Sequence, residues 1–381
     1  MGELNSTGEF AVVDDSLPYC NICLGSTDPE YLTYNMTVSG VLMAFFGVIG
    51  LVGNFFVVMV YGSRQRRIYS TSIYLAALGA SDFCLILTAM FLFVLEAWRH
   101  HGYPNLAYLY GRGAPFIFPL GAVFQTTSIY YCVAAAVDCF IDVVLPSACK
   151  KICCTAKKAK YIVTTLLILC ILYNIPHCFE IESVPCIDKF GNESLQICPT
   201  DIRMDPIYYT VYYTYMYTTF LAVGPLLLLV VLNICVVTTV AIKKNNDPEG
   251  ESDTTSLILV VFMFIFCNCT ALLINFLELT LYEQLKGTLV YLVDMSNCLI
   301  VINGSCNFFI YLIFGKSFRE SFFDIIGYSK QTMPFELIKT KAVNFRPFES
   351  NFESISNRFG INSKIEDFEN STAPIKTTTE V

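Results

Sequence analysis

Seven runs of mostly apolar residues, at about 36–62, 71–95, 115–140, 161–179, 207–242, 254–280 and 288–314, constrain this chain more than any other feature. An α-helix needs roughly 20 such residues to cross the hydrocarbon of a bilayer. Backbone groups in lipid must find their hydrogen bonds inside the segment, so runs of this length read as helices. Of the 381 residues, 55% are hydrophobic and 15% charged, against about 25% charged in soluble domains. The expected fold is an all-α membrane protein, a seven-transmembrane helix bundle.

The segments between the runs orient the bundle. Residues 62–70, 141–161, 241–253 and 315–381 carry 19 Lys and Arg between them, and the segments on the opposite side carry 5. Lys and Arg collect on the cytoplasmic face of a membrane. The expected protein is therefore multi-pass in the plasma membrane, with its N-terminus extracellular and its C-terminus cytoplasmic. Residues 1–35 are acidic and polar, with no basic stretch leading into an apolar core, so no cleaved leader is expected. They read as an extracellular tail, and 36–314 as the bundle. Residues 315–327 space Phe and Ile at helical intervals between charges, which suits a short amphipathic eighth helix on membrane lipid. Residues 328–381 are polar and read as a disordered cytoplasmic tail. The last three residues, Thr379-Glu380-Val381, fit the ligand of a PDZ domain, with Thr379 and the Val381 carboxylate as the groups it captures.

Polar side chains within the runs need partners, because an amide or carboxylate in hydrocarbon costs free energy unless the protein satisfies it. The richest stretch is Ser296 to Glu320, SNCLIVINGSCNFFIYLIFGKSFRE, which holds Asn297, Asn303 and Asn307. Asn54 stands alone in the first run, Asp82 is the one acid in the middle of the second, and Ser128 lies midway along the third. Asp82, Ser128, Asn303 and Asn307 can meet in one polar pocket. The aromatic stripe YYTVYYTYMYTTF that opens the fifth run reads first as packing and interface residues.

Most of the 17 cysteines lie within the runs, where Cys behaves as a small apolar residue. Cys20, Cys23, Cys186 and Cys198 fall outside them, in segments facing an oxidising exterior, and four cysteines allow three connectivities. The loop CKKICCTAKKAK has no zinc-ligand spacing and reads as free thiols near the membrane rather than a metal site. Asn5, Asn35 and Asn192 match the N-glycosylation acceptor. No nucleophile–base pair or metal cluster suggests an enzyme, and no nucleic-acid partner is expected. Residues 288–315 hold no Lys for a retinal Schiff base.

Gly53-Asn54 in the first run, LAALGASD ending at Asp82 in the second, Asp138-Cys139-Phe140 at the inner end of the third, Pro225 in the fifth and Asn307-Phe308-Phe309-Ile310-Tyr311 in the seventh resemble the rhodopsin-like G-protein-coupled receptors. Finer features are similar to the invertebrate FMRFamide-type neuropeptide receptors. These are NIPHCFE from Asn174 to Glu180, the basic CTAKKA loop, TTSLILVV at the start of the sixth run, and NGSCNFFIY. Three departures stand out. Cys139 replaces an Arg, Phe308 replaces a Pro, and the segment around Ala114 lacks the Cys that in the family bridges the third helix to the second outer loop. Cys20 or Cys23 is therefore expected to pair with Cys186 or Cys198, or those two with each other.

The resemblance implies an extracellular peptide ligand, an amidated FMRFamide-like one, whose binding is transmitted to heterotrimeric G proteins. A ligand ending in Arg-Phe-amide needs an acidic and aromatic pocket. Candidates are Glu96, Glu278 and Asp294 at helix ends, with Gln125, Tyr212 and Tyr215 deeper. Asp82, Ser128, Asn303 and Asn307 match positions that hold a sodium ion in the family, and no other cofactor is expected. Asp138, Cys139, Phe140 and Tyr311 match its G-protein switch. The alternative is a receptor-like peptide binder or chemoreceptor with weak or no G-protein coupling, because a thiol at 139 supplies neither the charge nor the donors of a guanidinium.

Overall fold

A computed structural model describes residues 17–20, 23, 28–99, 103–188, 191–244 and 252–327. Nearly all belong to one unit, Met1–Ile325; of the second, Ile326–Val381, only the first two residues are described. Asn5, Thr379 and Val381 lie outside the described residues.

Among the described residues, six helices are long and apolar enough to span a bilayer, and a seventh is shorter. They are α1 (Pro29–Tyr61), α2 (Ser70–Arg99), α3 (Pro104–Val144), α4 (Ala156–Phe179), α5 (Pro206–Ile242), α6 (Thr254–Thr270) and α7 (Gly287–Phe314). An eighth, α8 (Lys316–Ile326), follows. Helical hydrogen bonding is continuous over Ser252–Phe314, which drawn straight would measure about 95 Å. Yet Phe264 and Asn303 line the same small cavity, so the chain doubles back between α6 and α7.

Two helices start earlier than the apolar runs alone indicate. α1 begins at Pro29 because Asp28 caps it, its side chain accepting from the Glu30 amide, with Pro29 in the first turn. α3 likewise begins at Pro104. At 41 residues, about 60 Å, it exceeds the bilayer and runs against most of the other elements. Residues Tyr209–Val223 of α5 are wound in wider π-type turns.

The packing is that of a membrane bundle. Phe45, Phe55, Leu172, Leu227 and Phe266 are exposed around the outside, where lipid tails receive them. Inside, Val57, Leu78, Ile129, Ala135, Leu229, Val260 and Phe264 form one cluster that reaches Tyr311 and Phe318. Small residues let helices approach closely. Gly53 is the clearest case, since a Cβ there would stand 2.8 Å from that of Phe308. Phe308 fills this space and meets the rings of Phe56, Phe318 and Phe322. The missing proline is thus replaced by an aromatic contact that ties α1, α7 and α8 together.

A hairpin, which the apolar pattern does not announce, joins α4 to α5. Strands β1 (Ile181–Ile187) and β2 (Glu193–Pro199) pair antiparallel, from Ile181↔Pro199 to Ile187↔Glu193. The chain before α1 adds one isolated parallel bridge at Tyr19↔Ile187, where Cys20 N donates to Ile187 O at 3.0 Å and Ile187 N to Pro18 O at 2.8 Å. Disulfides Cys20–Cys186 and Cys23–Cys198 staple it there. The Cys186–Cys198 alternative is thereby replaced by two bridges to the tail. Leu195 packs against α3 at Gly111, where a Cβ would come within 2.7 Å of the Leu195 carbonyl oxygen.

Candidate ligand site and polar core

At the hairpin end of the bundle, α2, α3, α4 and α5 enclose a cavity of about 230 Å³. Its walls are apolar, with Leu85, Leu92, Phe93, Phe118 and Leu221, and its polar groups are Gln125, Thr126, Asn174, His177, Arg203, Tyr213 and Tyr217. Asn174 Nδ2 donates to Thr126 Oγ1 at 3.0 Å and to Cys170 O at 2.7 Å, fixing the amide that faces the space.

Of the residues expected to meet ligand, Gln125 lines this cavity. Tyr212 is buried behind it, stacked on Tyr173 and Tyr208, with its hydroxyl donating to Tyr173 O at 2.9 Å. Tyr215 does not face the cavity; it is 65% exposed on the outside of the bundle. The cavity takes Tyr213 and Tyr217 instead. They are four residues apart, one helical turn, and Tyr215 between them points away. Glu96 pairs with Arg99 at 3.3 Å. Asp294 is buried and accepts from Asn35 Nδ2 at 3.0 Å. Neither lines the cavity. The Glu278 side chain lies outside the described residues. The same bond corrects the expectation for Asn35: at 6% exposure within a helix, its amide is committed to Asp294 and is not available for glycosylation. Asn192 is exposed in the hairpin turn.

Beside the cavity sits an acid not chosen from the sequence as a candidate. Glu180 is fully buried. Its Oε1 accepts from Tyr208 at 2.6 Å and lies 3.0 Å from His177 Nδ1. Its Oε2 accepts from Arg203 Nη1 at 2.7 Å and from Tyr213. Burial pushes this carboxyl up, but the hydrogen bonds from His177, Tyr208 and Tyr213, with the nearby His177 charge, outweigh it and hold the carboxyl at about 2. A signal was present in NIPHCFE: Asn174, His177 and Glu180 recur every third residue, so a helix continuing past α4 presents them on one side.

Midway along the bundle, Asp82 accepts from Ser128 Oγ at 2.5 Å and from Asn307 Nδ2 at 2.7 Å. Three of the four residues expected there are thus joined, across α2, α3 and α7. Asn303 lines the adjoining cavity of about 10 Å³ with Asp82 and Ser128, and its buried Oδ1 has no partner among the described residues. Two carboxylate oxygens, a hydroxyl and an orphaned amide oxygen around a space for one small ion fit a hard cation. Asn54 extends the network by donating to Gly50 O and Gly304 O at 3.0 and 2.9 Å.

At the α8 end, Asp138 accepts from Ser70 Oγ at 2.9 Å and Thr71 Oγ1 at 2.7 Å. The hydroxyls of α2 thus hold a carboxylate that has no guanidinium next to it at position 139. Cys139 lines a cavity of about 360 Å³ with Tyr61, Arg66, Asp142, Thr254 and Ser317. Phe140 packs on the core, and Tyr311 is buried edge-on to Tyr61 at 5.3 Å.

The chain that forms this seven-helix bundle is similar in sequence to known proteins. Residues 53–311 match the family described as 7 transmembrane receptor (rhodopsin family). The chain belongs to the rhodopsin family of seven-transmembrane receptors. It is therefore a multi-pass protein of the plasma membrane, and a receptor rather than an enzyme. It is 38% identical over 308 residues to "Probable G-protein coupled receptor frpr-1" of Caenorhabditis elegans, covering 77% of this chain and 79% of that one. It is 28% identical over 298 residues to "FMRFamide receptor" of Drosophila melanogaster, covering 75% of this chain and 53% of the relative. With "FMRFamide peptide receptor frpr-18" of Caenorhabditis elegans it shares 26% identity over 289 residues, 72% of this chain and 66% of the other. In this receptor, the Asp82 network, the Glu180 cluster and residues Asp138, Cys139, Phe140 and Tyr311 all fall within the matched span.

Proposed function

We propose that this receptor binds an amidated FMRFamide-like neuropeptide at the hairpin end and transmits binding to a heterotrimeric G protein at the α8 end. The observation that carries the reading is the cavity beside Glu180. Its apolar walls suit a terminal Phe ring, Gln125 and Asn174 offer partners to a terminal amide, and a buried carboxylate stands beside them. Relatives named as receptors for such peptides support the ligand class. The distribution of basic residues places the hairpin end outside the cell and α8 inside. Residues 36–314 act as the signalling bundle, with 1–35 outside it and 315–327 on inner membrane lipid. Glu278 remains a candidate ligand acid, Asn5 and Asn192 are the glycosylation sites, and Thr379 and Val381 recruit a PDZ protein.

Asp82, Ser128 and Asn303 would hold a sodium ion, with Asn307 orienting the carboxylate, and the ion would supply the positive charge that balances a buried Asp82 carboxylate. The reading predicts calcium or cAMP responses to Arg-Phe-amide peptides in cells expressing the chain; a wide amidated-peptide library that evokes none overturns it.

Weak coupling is the second reading, and Cys139 is its motive. Asp138 is already satisfied by Ser70 and Thr71, so the inner end is held without an Arg, and the native chain is expected to drive nucleotide exchange. Exchange that is absent in the native chain and appears in Cys139→Arg would favour the alternative.

A further inference from the structure

Glu180 is 0% exposed, whereas the Arg203 side chain that neutralises it is 37% exposed and forms part of the cavity wall. A carboxylate removed from water requires a cation and hydrogen bonds. Tyr208 and Tyr213 supply hydrogen bonds, His177 Nδ1 stands 3.0 Å away, and Arg203 supplies the permanent charge. The Arg203 guanidinium also lies over two rings, 5.8 Å from the centroid of Phe118 and 5.3 Å from that of Tyr213. A carboxylate edge-on and aromatic faces alongside are what a planar guanidinium needs. The pocket is therefore a guanidinium receptor already holding one.

Arg203 belongs to the four-residue turn Asp201–Met204 between β2 and α5. Its Nη1 also donates to the Tyr213 hydroxyl at 2.9 Å, and its side chain stays 37% exposed at the wall of the cavity. The same turn carries Asp201, and Asp205 follows it; both line a separate outward-facing groove with Tyr208. An Arg203 displaced from Glu180 has anionic neighbours there.

We propose that Glu180 is the counter-ion for the arginine of the ligand, and that Arg203 is a resident placeholder which that arginine displaces. The proposal rests on the reading of this chain as a receptor for Arg-containing amidated peptides. Exchanging one guanidinium for another leaves the buried charge balanced, so the site never holds a bare carboxylate. It also gives the ligand a grip on α5, because Tyr208 and Tyr213 hydrogen-bond the same carboxylate from that helix. The competing account is a purely structural ion pair, in which Arg203 never leaves.

The test uses the full chain on cells, with surface level measured by an epitope tag, and two probes: an Arg-Phe-amide peptide and its analogue with uncharged citrulline for arginine. The native chain is expected to prefer arginine by about 10- to 100-fold, the range of a charge-assisted hydrogen bond. Glu180→Gln should reduce the preference to roughly threefold or less. Arg203→Ala should strengthen the arginine peptide about tenfold by removing the internal competitor, and shift the citrulline peptide by less than about threefold. An arginine preference that survives in Glu180→Gln, or an Arg203→Ala that weakens both peptides alike, overturns the proposal and leaves the peptide-receptor reading standing. A native chain that responds to peptides but to none ending in Arg-Phe-amide sinks both. If either single variant fails to reach the surface, the double variant Glu180→Gln with Arg203→Ala, which leaves no unpaired buried charge, decides: loss of the arginine preference supports the proposal and its survival overturns it.

Discussion

Glu180 has no access to water, and its charge is set by the groups that face it: His177, Arg203, Tyr208 and Tyr213. Its carboxyl is held down at about 2. A carboxyl depressed in the folded state adds stability at pH above the ordinary carboxylate range and loses it as pH falls through the folded value. The melting temperature of purified native chain, compared with Glu180→Gln, should therefore differ by a constant amount from about pH 7 to 5, by less as pH falls below about 4, and converge as it falls through about 2. A difference that stays flat over this range refutes the assignment. Asp82 carries a second residue-scale prediction. With the carboxylate replaced in Asp82→Asn, agonist affinity should lose its dependence on sodium while surface expression persists; sodium sensitivity equal to the native chain's rules out the ion site.

At the scale of elements, two contacts decide how helices sit. The first is Gly53 against Phe308. Gly53→Ala overpacks the α1–α7 crossing and should cost about 1–3 kcal/mol in thermal unfolding. Because the two residues touch, Gly53→Ala with Phe308→Ala should be less destabilised than the sum of the single variants, by at least about 0.5 kcal/mol; strict additivity would show that the contact is not tight. The second is the segment before α1, tied to the hairpin by disulfides spanning 166 and 175 residues. Removing one native disulfide typically costs about 2–5 kcal/mol. Cys20→Ser with Cys186→Ser should lower the melting temperature and also weaken peptide binding, because β1 leads directly from Glu180. Unchanged binding in that variant would show that the hairpin does not hold the site. The aromatic stripe of α5 shows how far a pattern goes. Its helical content was readable, yet the face it buries was not, because Tyr at 208, 209, 212, 213, 215 and 217 spreads over about 200° of the helix, wider than one buried face. Packing against α4 chose Tyr212, Tyr213 and Tyr217 for the interior and left Tyr215 outside.

Across the whole molecule, a polar core lies between the two cavities: Gln125, Asp82, Ser128 and Asn303 line one small space, and Asn307 donates to Asp82 beside it. The sequence alone determined the number of spans, their order and the polar residues that had to converge, because lipid makes length and hydropathy decisive and makes each buried amide costly. Asn303 and Asn307 stood out for that reason. Only the tertiary structure decided which groups converge on which. Asn35 found Asp294 rather than a glycan, four cysteines chose two bridges to the tail, and Glu180 took Arg203 from 23 residues away. Helical periodicity assigns a residue to a face of its own helix, but the partner on that face depends on how neighbouring helices are rotated and where the loops return. Those are set by packing between segments far apart in the chain.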